Sequence, residues 1–275
     1  VSGIFAWVVG CLAALWVAAT VFMFLFQRSF LYARALDPLS SPAEAGLPEM
    51  AVVSLTTGDG LILTAWYRPA PEGAPTVVLF HGNAGTLSHR VDKARFMIDA
   101  GLGLLLVEWR GYGGNPGRPS EEGLLADGRA ALDFLEARGV PADRRVHYGE
   151  SLGGGLAIPL ATLDPKPMAV VTEGTFTSAV DMGRRRYPIL PVSLLMLDRF
   201  DTKAIIGNLS VPLLVLHGQK DTIVPMGMGR ILAEATAGPV ETFFPAEGGH
   251  VDLFSHGAGP VMVAFLRRHG WSDGV

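Results

Sequence analysis

The sequence predicts an α/β protein: a mostly parallel, doubly wound sheet of eight strands with helices on both faces, preceded by one long apolar helix. Three observations carry this. Eight short apolar runs of strand length recur between residues 51 and 245. Amphipathic stretches of helix length separate the later runs, as crossovers between parallel strands require. The first two runs are joined by Gly58-Asp59-Gly60, a turn signal that starts the sheet with an antiparallel hairpin.

In order, AVVSLTT (51–57) and LILTAWY (61–67) form the hairpin, and TVVLFHG (76–82) reads as a buried strand. A helix is expected over 88–100, with Val91, Ala94, Phe96, Met97 and Ala100 as its apolar positions. GLLLVEW (103–109) is the next strand. Ser120 caps a helix with Glu121 and Glu122 in its first turn and Arg138-Gly139 at its end. RRVHYG (144–149) is a strand followed by a helix over 151–163. MAVVTE (168–173), PLLVLHG (212–218) and VETFFP (240–245) are the remaining strands, with helices over 226–237 and 252–269. Residues 175–208 separate two strands by more than one helix needs. Insertions at the carboxyl ends of such strands lie over the ligand crevice, so this segment is expected to form a short lid.

The chain divides into an anchor (1–30), a connector rich in Pro, Ser and Ala (31–48) and a catalytic domain (49–275). With 275 residues, one α/β domain with a sizeable core is accommodated. Nearly half the residues are apolar and the mean hydropathy is positive, high for a soluble enzyme. The excess sits in residues 1–27, which carry no charge. As a helix this run would span roughly 40 Å, more than the ~30 Å hydrocarbon core of a bilayer. Its bulky end, VFMFLFQRSF, lacks the small residues of a signal-peptide cleavage site, so an uncleaved single span is expected. Arg28 and Arg34 follow the span, which by the positive-inside rule puts the domain on the cytoplasmic side. Arginine outnumbers lysine 18 to 4, which suits a GC-rich bacterial genome and so a bacterial cell membrane. The formal net charge of −4 gives no overall basic field to attract nucleic acid. Cys11 is the only cysteine, so no intrachain disulfide forms.

The chemistry centres on HYGESLGGG (147–155). In a chain with 34 glycines, G-x-S-x-G needs context, and the context is present: a strand ends directly before Ser151 and a helix opens at it. Such a turn is sharp, and side chains at ±2 would collide with its flanks, hence Gly149 and Gly153. It projects the Ser151 hydroxyl at the sheet's carboxyl edge and leaves the Leu152 N–H at a helix N-terminus, where a developing oxyanion is stabilised. A serine nucleophile needs a base. Of seven histidines, His250 follows the last strand and reaches the same edge, whereas His147 and His217 lie in or at the end of strands, His81 shapes a loop, and His256 lies in the final helix. The acid that orients the base is expected to be Asp221, after the penultimate strand, with Glu173 as second choice. The second oxyanion donor is expected in His81-Gly82-Asn83-Ala84-Gly85, at the Asn83 N–H or, one position on, at Ala84. The stretch RGYGGNPG (110–117) lacks the G-K-[ST] ending of a phosphate loop and reads as a tight loop beside the site. No HExxH or paired-cysteine pattern occurs, so no metal and no cofactor are expected.

Together HGNAGTLSHR, EWRGYGGNPGRPSEEGLLADGRAALDFL, GESLGG, TEGTFTS, GQKDTIVP and GGH resemble the α/β-hydrolase superfamily, most closely its membrane-anchored, single-span serine hydrolases, over residues 50–270. The resemblance implies the α/β-hydrolase fold, with Ser151 as nucleophile, Asp221 as acid, His250 as base and Leu152 and Asn83 as oxyanion donors. It also implies a substrate range like that of lysophospholipases, acylglycerol lipases or protein depalmitoylases. Glu108 and Asn115 depart from residues common in relatives and are expected to affect the rim of the site. Serine at the elbow, rather than aspartate, favours acyl transfer to water over dehalogenation or epoxide hydrolysis. In the lid, Arg184, Arg185 and Arg186 precede an apolar stretch and suit anionic headgroups, or else pair with Asp181, Asp198 or Asp201. The substrate expected is a lipid-like ester of monoacylglycerol or lysophospholipid type. Alternatives are an acyl-protein thioesterase and, from another class, a catalytically silent membrane scaffold.

Overall fold

The computed structural model describes residues 2–36 and 38–272. Val1, Asp37 and 273–275, which fall in the expected anchor, in the connector and at the end of the domain, lie outside the described residues. Eight strands form one sheet: β1 (Ala51–Thr56), β2 (Ile62–Arg68), β3 (Thr76–Phe80), β4 (Gly103–Val107), β5 (Arg145–Glu150), β6 (Ala169–Glu173), β7 (Leu213–Leu216) and β8 (Val240–Phe243). Their order is β1-β2-β4-β3-β5-β6-β7-β8. The β1–β2 and β2–β4 pairs are antiparallel and the rest parallel, as the hairpin signal and the crossover helices predict.

The helices are α1 (Ser2–Leu31), α2 (Val91–Asp99), α3 (Glu121–Ala137), α4 (Gly154–Ala161), α5 (Ala179–Arg186), α6 (Val192–Leu195), α7 (Thr202–Ile205), α8 (Met226–Ala235) and α9 (Ala258–Arg268). Ser120 caps α3 as expected, its hydroxyl accepting the Gly123 N–H at 3.1 Å. Where single helices are expected from residues 88, 151 and 252, a short 3-10 turn precedes each α-helix.

Strands buried on both faces read as continuous apolar runs, and here alternate residues serve opposite cores. Val78 and Phe80 pack with residues of α3, α4 and α8, while Val77 and Leu79 pack with residues of α2 and α9. Residues 175–208 form a cap of three short helices, α5 to α7, and a 3-10 turn.

Helix α1 is long and apolar enough to cross a membrane and buries none of its residues. Its C-terminal half nonetheless touches the cap. The Trp16 indole donates to the Ile189 carbonyl at 2.9 Å, and the Gln27 amide donates to Leu195 O at 3.2 Å and accepts from Leu197 N–H at 2.8 Å. Arg28 forms a two-pronged pair with Asp198, at 2.7 and 3.0 Å.

Candidate active site

At the end of β5 the chain reverses into the 3-10 turn 151–153 that leads into α4. Ser151 takes a left-handed φ of 51° there, a conformation only Phe200 shares among described non-glycine residues. It costs on the order of 1–3 kcal/mol and persists only where the surroundings enforce it. They do so through absent side chains: a Cβ on Gly149 would overlap Gly154, and one on Gly153 would overlap the Phe80 carbonyl.

The elbow sets Ser151 Oγ 2.9 Å from His250 Nε2, and His250 Nδ1 lies 2.7 Å from Asp221 Oδ2. The Asp221 side chain is fully shielded from solvent, while His250 is partly exposed. Asp221 also accepts the N–H groups of Ile223 and Val224, each at 2.8 Å, and lies 3.2 Å from His217 Nε2. Burial alone would raise its carboxyl. The hydrogen bonds with His217 and His250 outweigh burial and hold it well below the usual carboxylate range. It therefore stays an acceptor, which keeps the proton of neutral His250 on Nδ1 and leaves Nε2 to face the serine.

The residues expected on either side of the serine also converge here. Leu152 is buried in the turn directly after Ser151, and Gly82, Asn83, Ala84 and Gly85 line the same cavity. The Asn83 side chain ties this loop down. Its amide donates to Leu31 O, and its carbonyl oxygen accepts the Ala33 N–H at 3.1 Å and the Tyr112 hydroxyl at 2.9 Å. The cavity holds about 1220 Å³, above the ~300–1,000 Å³ usual for small-molecule sites. Its lining is mostly apolar and comes from α1, the cap and the loops after β3, β7 and β8, with Ser151 and His250 among the lining residues.

Two of the alternatives fall away and one expectation is corrected. Glu173 takes no part in the relay: it accepts the Tyr148 hydroxyl at 2.5 Å and the Lys93 ammonium. Glu108 is no rim residue. It is fully buried, 2.9 Å from His81 Nε2 and 3.0 Å from the Leu87 N–H it accepts, and Asn115 braces the same loop by donating to Glu108 O at 3.0 Å. Arg184, Arg185 and Arg186 are exposed at the end of α5 and have no acidic partner among the described residues. The aspartates that were alternatives for them are engaged elsewhere: Asp181 with Thr177, Asp198 with Arg28 and Asp201 as the cap of α7.

Sequence reasoning missed one cluster. Glu150, the residue before the serine, is buried against Arg90 and Lys93 of the 88–100 segment, at 2.5 and 2.7 Å, and its carboxylate accepts the Gly82 N–H at 3.3 Å. Burial would raise its carboxyl, but the Lys93 and Arg90 cations hold it well below the usual range. The cluster thus links the elbow to the loop bearing Asn83. Its signal in the sequence was weak: Lys93 sits between the apolar positions Val91 and Ala94 and Arg90 just before them, and both read as surface cations.

No protein-family model matches the chain. The α/β hydrolase domain-containing protein WAV2 of Arabidopsis thaliana is 32% identical over 268 residues, 88% of this chain and 86% of WAV2. The chain belongs to the α/β-hydrolase superfamily. It is also similar to protein bem46 of Schizosaccharomyces pombe (32% over 221 residues, 74% of this chain and 73% of bem46). With the uncharacterized protein Rv2307c of Mycobacterium tuberculosis it shares 40% identity over 259 residues, 92% of this chain and 90% of that one. Among solved structures, the Pyrococcus furiosus esterase Pf2001 matches with a TM-score of 0.70 at 19% identity, covering 86% of this chain and 99% of the esterase. At that identity the likeness speaks for the fold.

Proposed function

We propose that this chain is a membrane-anchored serine hydrolase that cleaves carboxylic esters of lipid-like acyl substrates, of monoacylglycerol or lysophospholipid type, through an acyl-enzyme on Ser151. The observation that carries this reading is the hydrogen-bonded relay Asp221–His250–Ser151 on the wall of a large, mostly apolar cavity. In the proposed reaction Ser151 Oγ attacks the ester carbonyl while its proton passes to His250 Nε2, and Asp221 stabilises the imidazolium. The Leu152 and Asn83 N–H groups bind the oxyanion. Collapse breaks the acyl–oxygen bond, and the proton leaves with the alcohol. Water, deprotonated by His250, then attacks the acyl-enzyme and releases the acid and the free serine.

That Pf2001 is an esterase accords with this reading. The anchor is inferred from α1, whose charge-free length exceeds a bilayer core and none of whose residues is fully buried. Arg28, Arg34 and the lid arginines gather basic charge on the domain side, which favours the cytoplasmic face of a bacterial membrane. The domain limits proposed are those above: anchor 1–30, connector 31–48, catalytic domain 49–275. Arg184, Arg185 and Arg186 are proposed to meet anionic headgroups. Replacing all three by Ala should lower turnover of an ester carried in anionic vesicles and flatten its salt dependence; unchanged turnover and salt response would remove them from that role.

The test of the reaction is a panel of p-nitrophenyl esters of increasing chain length beside matched S-acyl thioester peptides. Higher kcat/KM on the esters, lost in Ser151→Ala, is expected. A preference for the thioesters would assign the same relay to an acyl-protein thioesterase. Turnover of neither class would leave a silent scaffold.

A further inference from the structure

We infer that the C-terminal half of α1 is a wall of the acyl-binding cavity, so that the membrane helix itself sets which acyl chains are accepted. This rests on the hydrolase reading above. The cavity is lined by Thr20, Met23, Phe24, Gln27 and Leu31, spaced at i, i+3, i+4, i+7 and i+11, which is one face of a helix. Thr20, Met23, Gln27 and Leu31 are half-buried in a helix otherwise exposed from residue 2 to residue 30. The opposite side carries Val21, Phe22, Leu25 and Phe26, between 48% and 67% exposed. One helix therefore presents one stripe to the cavity and another, strongly apolar, to its surroundings.

Facing that stripe across the cavity are Met182, Leu190, Val192 and Met196 of the cap. The cap is fastened to the helix at Trp16–Ile189, Gln27–Leu195 and Arg28–Asp198, so the two walls are held in register. At the catalytic end, the helix terminus meets the loop of the proposed oxyanion hole, where the Leu31 carbonyl accepts the Asn83 amide. From Leu31 back to Thr20 the wall extends about 16 Å along the helix axis. An acyl chain esterified at Ser151 would lie along it, and the exposed apolar face beside it places that chain next to bilayer lipid. A soluble relative without such a helix would lack this wall.

The inference predicts a length-dependent effect. Thr20 lies at the far end of the wall, so Thr20→Trp should shorten the cavity without touching the relay. In the full chain reconstituted in lipid nanodiscs, p-nitrophenyl butyrate and palmitate would be compared, with a fluorophosphonate probe reporting the reactivity of Ser151. Thr20→Trp is expected to lower kcat/KM on palmitate about tenfold or more relative to butyrate, with labelling retained. Met23→Ala, which widens the cavity, should change the palmitate-to-butyrate ratio as well, and Leu25→Trp, on the outward face, should leave both esters unchanged. Equal changes on the two esters, or none, for both Thr20→Trp and Met23→Ala would overturn the wall. Loss of labelling and turnover in the wild type would instead overturn the hydrolase reading on which it rests.

Discussion

Two of the carboxylate–histidine pairs in this molecule are placed for different work. Asp221 holds His250 at 2.7 Å and Glu108 holds His81 at 2.9 Å, and both carboxylates are fully shielded from solvent. The difference lies at the other ring nitrogen. His250 Nε2 meets a hydroxyl, Ser151 Oγ, at 2.9 Å, whereas His81 Nδ1 meets a carbonyl, Gly82 O, at 2.7 Å. A carbonyl only accepts, so that nitrogen of His81 donates and is not open to take a proton. A hydroxyl can donate, so that nitrogen of His250 can accept one. His81 is also fully buried, while the His250 side chain keeps 15% of its surface open to the cavity. A buried acid–histidine pair thus becomes a proton relay only when its far nitrogen is left able to take a proton and faces a reachable group; otherwise it is a brace.

The two pairs should differ most in the effect of mutation on turnover. His250→Ala should lower ester turnover roughly 10⁴–10⁶-fold with little effect on melting, measured by stopped assay and thermal unfolding in detergent. Asp221→Asn should lower it by about 10⁴-fold, since the amide no longer holds the His250 proton on Nδ1. His81→Gln should do the reverse. It removes the histidine partner of the buried Glu108, leaving it only the Leu87 N–H, and should cost roughly 3 kcal/mol of stability, while the protein that remains folded still labels with a fluorophosphonate. A relay-sized loss of labelling in folded His81→Gln would erase the distinction.

A third histidine sharpens it. His147 has no carboxylate, only the Ala157 carbonyl at 3.4 Å, and burial, partly offset by that contact, pushes its pKa down to about 4. Between pH 6.5 and 4 the unfolded chain binds a proton there that the folded chain refuses, so stability falls as pH drops through that window. The loss should approach about 3 kcal/mol at the lower end. Denaturant melts of His147→Gln should show a flatter pH dependence over the same range.

Much of this was legible in the sequence. The strands were readable because parallel strands buried on both faces leave continuous apolar runs such as TVVLF and LLLV. The elbow was readable because its geometry forbids side chains at Gly149 and Gly153, and chain order then pointed to Asp221 and His250. What was not readable depends on pairings distant in sequence. Lys93 and Arg90 have the spacing of surface cations, and only the folded sheet reveals Glu150 and Glu173 beside them. Asp198 was expected to pair within the cap, but its partner is Arg28, 170 residues earlier. The helical stripe 20–23–24–27–31 carries no signal of its own within a uniformly apolar run; it becomes a cavity wall only because the cap folds against it.

The reactivity of Ser151 is the most direct test of the relay. The full chain in detergent would be treated with a fluorophosphonate and the adduct located by mass spectrometry of its peptides. A single adduct on Ser151, absent in His250→Ala and retained in folded His81→Gln, is the predicted result. Equal labelling of wild type and His250→Ala, or an adduct at another residue, would contradict it.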